Sequence, residues 1–242
     1  MKAIILAAGF GSRLGFLTNK QPKATITVAS CSLATRTVKF ANRIGISEII
    51  VIGGYQSQLL WENLKDEKII PLQNPDYHKG NIYTLVKARP YLTDDFVILN
   101  IDHLYPTHLA RMIRETGSGI WAVSDFDRPL SQDDMKIQVV GDTRQGMRVK
   151  AISKELDEYD GGYCGITIVR GKDIEMFNKA FDKVLSHGRD QAVVEDVLCQ
   201  LANDNQFPKV LDISGIRWLE IDTQEDLANA ERILRMKPHF LD

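Results

Sequence analysis

Short apolar runs alternate along the chain with stretches whose apolar residues recur every three to four positions. The runs AIIL (3–6), SEIIVIGG (47–54), KIIPLQN (68–74), DFVILNID (95–102) and GIWAVS (119–124) have the length and flanks of buried strands. Helical spacing falls at 33–45, 56–67, 81–92 and 106–115, with Gly45 stopping the first and Pro90 limiting the third. This β-α-β alternation predicts a mostly parallel sheet with helices on both faces. After residue 125 the pattern changes. MKIQVV and MRVKAIS, joined by GDTRQG, read as two strands around a glycine-containing turn, and 161–171 as another strand. Helices are predicted at 172–186 and 191–202, a late strand at 217–222, and a last helix over TQEDLANAERILRM. The expected fold is α/β: one Rossmann-like domain over 1–242, a mostly parallel sheet flanked by helices with a small antiparallel addition.

Composition narrows the function more than the fold. Of 242 residues, 44% are hydrophobic and 26% charged, as in ordinary globular proteins. A net charge of −2 argues against nucleic-acid binding, which needs a basic face, but leaves room for a local anion site. Cys31, Cys164 and Cys199 show neither a disulfide framework nor zinc spacing. No apolar stretch approaches the ~20 residues of a membrane span. A soluble, cytoplasmic protein is expected.

The chemistry concentrates after the first strand, in LAAGFGSRLGFLTNKQPK (6–23). Gly9, Gly11 and Gly15 permit positive φ and close backbone approach, and successive N–H groups in such a loop form an anion-binding concavity. Arg13 and Lys23 add fixed positive charge, so the segment reads as a triphosphate cradle. Neither familiar glycine motif fits. The dinucleotide fingerprint needs glycine where Leu14 stands, and no Gly-Lys-Ser/Thr follows for a P-loop.

A triphosphate brings Mg²⁺, which prefers carboxylate and phosphate oxygens. Asp102 ends the strand FVILNID, where open α/β sheets bind ligands. Glu220 and Asp222 are two apart in RWLEID and would share a strand face. These three are the candidate metal ligands. Asp222 also reads as an N-cap of the helix that follows. Gly80, Asn81 and Thr84 stand where a loop enters a helix and could meet a base through backbone groups and a hydroxyl. His103 reads equally as packing or as acceptor binding.

The stretch LAAGFGSRL…QPK resembles the signature of sugar-nucleotide pyrophosphorylases and related nucleotidyltransferases. Leu6, Ala7, Ala8, Gly9, Gly11, Arg13, Leu14, Pro22 and Lys23 match the motif. The family fold is the nucleotide-diphospho-sugar transferase type. The resemblance implies a nucleoside triphosphate donor, a phosphorylated acceptor, release of pyrophosphate and Mg²⁺ as cofactor. Nucleotide contacts then fall to Leu6, Ala7, Ala8, Gly9 and Gly11. WLEIDT (218–223) and GNIYTL (80–85) are similar to the cytidylyltransferase branch, implying CTP as donor, with Gly80, Asn81 and Thr84 at the base. Arg13, Lys23 and Lys154 are the implied catalytic cations, with Lys154 gripping the acceptor phosphate beside His103 and Tyr163. IDHLYP resembles inositol-phosphate cytidylyltransferases, whereas Tyr163 stands where those enzymes carry an acid. Inositol 1-phosphate is therefore the expected acceptor. Choline phosphate or a sugar 1-phosphate are the alternatives, and an inactive nucleotide-sensing subunit is the rival from another class. The chain is expected to bind CTP and acceptor, with no nucleic acid and no membrane span. The sequence leaves a homodimer open.

Overall fold

A computed structural model describes residues 1–141 and 146–242, so the middle of the predicted turn GDTRQG, 142–145, lies outside the described residues. In chain order the elements are β1 (Lys2–Ala7), β2 (Thr27–Val28), β3 (Cys31–Ser32), α1 (Leu33–Ile44), β4 (Glu48–Gly53), α2 (Ser57–Asn63), β5 (Ile70–Gln73), α3 (Ile82–Lys87), β6 (Phe96–Asn100) and β7 (His103–Leu104). They continue with α4 (Thr107–Glu115), β8 (Gly119–Asp125), β9 (Lys136–Val140), β10 (Arg148–Ser153), β11 (Gly161–Arg170), α5 (Asp173–Ser186), α6 (Glu195–Asn203), β12 (Lys209–Asp212), β13 (Leu219–Glu220) and α7 (Gln224–Met236). Two compact units form: residues 1–91, 98–116 and 216–242, and residues 92–97 and 117–215.

The first unit carries a sheet in the order β5-β4-β1-β6, with β1 parallel to β4 and β4 parallel to β5. Ala3, Ile4, Ile5, Ile50, Val51 and Ile52 are wholly buried, so both faces are covered, which is why these strands read as continuous apolar runs. Helix α1 begins where the Ser32 hydroxyl accepts from the Thr35 N–H and ends at Gly45 in the left-handed region. A core of Leu14, Ile26, Val28, Leu33, Leu104, Ile221, Ala230 and Leu234 joins the glycine loop, the β2–β3 hairpin, β7 and α7. The second unit orders its strands β11-β8-β12-β10-β9, and β9 also pairs with β11. Here β12 is parallel to β8, while β11–β8, β10–β12 and β10–β9 are antiparallel. The α/β fold, the parallel sheet with flanking helices and the antiparallel addition are as expected.

Several boundaries differ from the sequence reading. The helix predicted over 81–92 ends at Lys87 and continues as a 3₁₀ turn over Arg89–Tyr91, because Pro90 has no N–H to extend an α-helix. The helix predicted to 67 stops at Asn63. The late strand contracts to β13, which pairs antiparallel with β7, Glu220 opposite His103. The hairpin β2–β3, β7 and β12 escaped the pattern because two to four residues are too short to show a period.

Ala29 and Ser30, both exposed, form the two-residue connection between β2 and β3 at φ 47° and 66°. Two positive φ values are what a type I′ hairpin turn demands, and Asn-Gly adopts them with least strain. Replacing Ala29-Ser30 by Asn-Gly is therefore expected to stabilise the fold by about 1 kcal/mol. Chemical denaturation would read this as a raised midpoint at unchanged slope.

Candidate active site

The site in the first unit grows from the C-terminal ends of β1 and β6, neighbours in the sheet. After Ala7 the chain leaves β1 through Gly9 and Gly11. Gly11 sits at φ 76°, and a Cβ there would come within 2.8 Å of Lys23 Cβ. Glycine is required twice, for the backbone and for the lysine stem that crosses it. At Gly9 a Cβ would meet nothing within 4 Å, so the backbone lies open to a ligand. Thr18, wholly buried, fastens the loop by donating towards the Gly11 and Gly15 carbonyls at 3.0 and 3.2 Å. Sequence reasoning passed over Thr18, because a single buried hydroxyl leaves no pattern.

Lys23 is 6% exposed. Its Nζ donates to Asp102 Oδ2 at 2.7 Å and to Asp222 Oδ1 in a still shorter contact. Arg13 Nη2 donates to the other Asp222 oxygen at 2.6 Å. Three distant segments thus meet at one ammonium group. Burial works against the charge of Lys23, but Asp102 and Asp222 outweigh it and hold the lysine pKa above its ordinary value. Burial likewise opposes ionisation of Asp102, and Lys23 together with His103 overcomes it, carrying the carboxyl well below the usual range.

Asp222 is fixed by its neighbours in sequence. The Thr223 hydroxyl accepts from the Asp226 N–H at 3.1 Å, and Asp226 Oδ2 accepts from the N–H groups of Thr223 and Asp222 at 2.8 and 3.1 Å. Thr223 is therefore the cap of α7, closed as a capping box, and Asp222 precedes it with its side chain free for Lys23 and Arg13.

A cavity of about 270 Å³ opens on these groups. Of the residues expected to bind nucleotide or metal, Leu6, Ala8, Gly9, Gly11, Arg13, Lys23, Asn81, Thr84, Asp102 and Asp222 line it. Ser12, Asn100 and Ile101 line it as well and were not foreseen. Ala7 is buried within β1, and Gly80 stands directly before Asn81. The carboxylates of Asp102 and Asp222 converge on a space one ammonium wide, with hard oxygen donors from two chain segments, and that donor set suits a small divalent cation.

Glu220 and His103 stand beside this cavity rather than in its lining. His103 Nδ1 lies 2.7 Å from Asp102 Oδ1, and its Nε2 lies 3.8 Å from Glu220 Oε1. Trp218 and Tyr105 stack on the imidazole, with centroids at 5.3 and 5.5 Å. Burial opposes a charge on His103, yet Glu220 and Asp102 raise its pKa above the ordinary value. Burial also raises the Glu220 carboxyl. Asp102, His103 and Glu220 could together offer three donor atoms to a metal ion.

Lys154 and Tyr163 belong to the second unit. Lys154 follows β10, half-buried, and its carbonyl accepts from Lys136 Nζ. Among the described residues no carboxylate pairs with its ammonium group. Tyr163 is buried in β11 with its hydroxyl 2.8 Å from Thr167 Oγ1, and burial raises its pKa well above the ordinary value. In the first unit, Phe10, Tyr55 and Tyr77 form an aromatic cluster beside the glycine loop, with centroids 4.6 and 6.1 Å apart.

Comparison with known proteins agrees with this architecture. The chain is 27% identical over 238 residues to a bifunctional IPC transferase and DIPP synthase from Aquifex aeolicus, covering 96% of this chain and 51% of that protein. The chain therefore spans about half the length of the curated relatives of this type. It is 30% identical over 247 residues to a choline-phosphate cytidylyltransferase from Streptococcus pneumoniae, covering 97% of this chain and 99% of that one. The fold is shared with the inositol-1-phosphate CTP transferase from T. maritima, with a TM-score of 0.79, 21% identity, and 99% and 95% of the two chains covered. Residues 3–154, more than half of the chain, match the family model, and the chain belongs to the MobA-like NTP transferase domain family.

Proposed function

We propose that the chain is a Mg²⁺-dependent cytidylyltransferase that joins CTP to inositol 1-phosphate, giving CDP-inositol and pyrophosphate. The observation that carries this reading is the convergence of Lys23, Arg13, Asp102 and Asp222 at the mouth of the glycine loop. Inositol 1-phosphate is preferred as acceptor on the similarity to IPC transferases and on the sequence IDHLYP.

The acceptor phosphate would attack the α-phosphorus of CTP, breaking the bond to the β-phosphate and releasing pyrophosphate. Arg13 and the amides of the glycine loop would hold the β- and γ-phosphates. Lys23 would stabilise the charge developing at the α-phosphoryl group, and Lys154 would orient the acceptor. Asp102 and Asp222 would hold Mg²⁺, with Glu220 as the third candidate acid. The ion would neutralise phosphate charge. The residues' share is positioning and preorganised charge.

Choline phosphate is a second reading, favoured by the full-length similarity to the choline-phosphate enzyme and by the cluster of Phe10, Tyr55 and Tyr77, whose rings would suit a quaternary ammonium. The tryptophans do not build that cage. Trp218 stacks on His103, Trp121 lies under Lys209, and Trp61 packs at Gly53.

Pyrophosphate release is the direct test, with CTP, UTP, ATP, GTP and dTTP crossed against inositol 1-phosphate, choline phosphate and glucose 1-phosphate. Turnover with CTP and inositol 1-phosphate alone is expected. Turnover with choline phosphate instead replaces the acceptor, and silence with every pair overturns the enzymatic reading in favour of a nucleotide-sensing subunit.

Lys23→Ala is expected to lower kcat about 10²–10³-fold, the range for losing one preorganised charge. It should also lower the unfolding temperature, because two carboxylates lose their common partner. Millimolar Mg²⁺ should return part of that loss in the variant, read by thermal denaturation without substrate. A melting temperature indifferent to Mg²⁺ would remove the metal from between Asp102 and Asp222.

A further inference from the structure

Asn74 lies between β5 and α3, is wholly buried, and stands outside the lining of the nucleotide cavity. Each of its polar contacts is directional. Its N–H donates to the Gly53 carbonyl at 2.7 Å. Its Oδ1 accepts from the Asp76 N–H at 3.0 Å, which forces the amide nitrogen to the other side. There Nδ2 donates to Thr84 Oγ1 at 3.0 Å.

A hydroxyl that accepts from an amide keeps its own hydrogen to give away. Thr84 is 3% exposed and lines the cavity, and no acceptor among the described residues takes that hydrogen. A buried donor with no partner is costly, so the arrangement is complete when a ligand supplies an acceptor.

Resting on the cytidylyltransferase reading, we infer that Asn74 is a positioning residue for base choice: it holds the Thr84 hydroxyl as a donor towards N3 of cytosine. Cytosine N3 carries a lone pair. Uracil carries N3–H at the same position, so the hydroxyl and the ring would present donor to donor. Sites built to hydrogen-bond one edge discriminate strongly, because the wrong edge leaves buried groups unpaired.

The test is the ratio of kcat/KM for CTP and UTP in the native chain and two near-isosteric variants. Asn74→Asp keeps an oxygen for the Asp76 N–H but turns the other atom into an acceptor. The Thr84 hydroxyl would then donate inward and offer a lone pair to the base. The ratio should move towards UTP by about tenfold or more. Thr84→Val removes the hydroxyl and should lower the CTP preference without creating one for UTP. In the native chain, the CTP analogue with carbon in place of N3 should lose about tenfold in kcat/KM. An unchanged CTP/UTP ratio in folded Asn74→Asp overturns the inference while leaving the cytidylyltransferase reading intact. If Asn74→Asp fails to fold, an unchanged ratio in Thr84→Val does the same. A native chain that does not turn over CTP overturns both, so the two failures are distinguishable.

Discussion

One buried ammonium group organises the first unit of this molecule. Lys23 brings together Asp102, in the turn between β6 and β7, and Asp222, just before the last helix. Neither acid would sit comfortably beside the other without it, since two like charges in a partly buried site repel. Lys23 stands between them, holding Asp102 well below the usual carboxylate range, and Arg13 donates to the remaining oxygen of Asp222. The rest of the first unit serves this junction. The β7–β13 ladder holds the strand segments that precede Leu104 and follow Trp218, and the capping box at Thr223 fixes the backbone from which Asp222 projects.

The glycine loop follows from the same constraint. Lys23 reaches the acids by laying its stem over Gly11, so any side chain there would displace the ammonium group. Leu14, between Arg13 and Lys23, turns inward and packs with Ile221 and Leu234, on either side of Asp222 in sequence. Apolar burial and ion pairing therefore fix the same two chain segments against each other. The nonpolar contact has no directional preference and the ion pair does. Leu14 brings the segments together, and Lys23 and Arg13 set their register.

This division explains how much was legible beforehand. The strands β1, β4 and β6 and the helix α1 announced themselves because burial on both faces or on one stripe leaves a long periodic trace. Gly11, Arg13, Lys23, Asp102 and Asp222 stood out because phosphate chemistry needs those residue types near strand ends. What stayed hidden was pairing at a distance. Nothing local told that Arg13 and Lys23 would spend their charge on Asp222, some two hundred residues away. Glu220 shares a strand segment with Asp222, but pairing of β13 with β7 sets it opposite His103, where burial raises its pKa. Asn74 and Thr18 were invisible for a related reason. Each acts through one hydrogen bond inside the core, and a single buried polar residue has no spacing to read.

The electrostatics of the cleft also bear on how such a site is held together. A cradle of uncompensated cations able to hold a triphosphate would repel itself when empty. Here Arg13 and Lys23 pair with Asp102 and Asp222, two basic groups against two acidic ones. Those same acids are the groups suited to a divalent cation. On the proposed function, a nucleotide arriving with Mg²⁺ would bring both halves of an exchange: Asp102 and Asp222 would hold the metal, and Arg13 and Lys23 would hold phosphate oxygens. Each charged side chain would trade one opposite charge for another and would not be left bare in a poorly solvated cleft, which would cost far more than the exchange itself. On that reading, the ion pairs among Arg13, Lys23, Asp102 and Asp222 would hold the two cations in position for the phosphates.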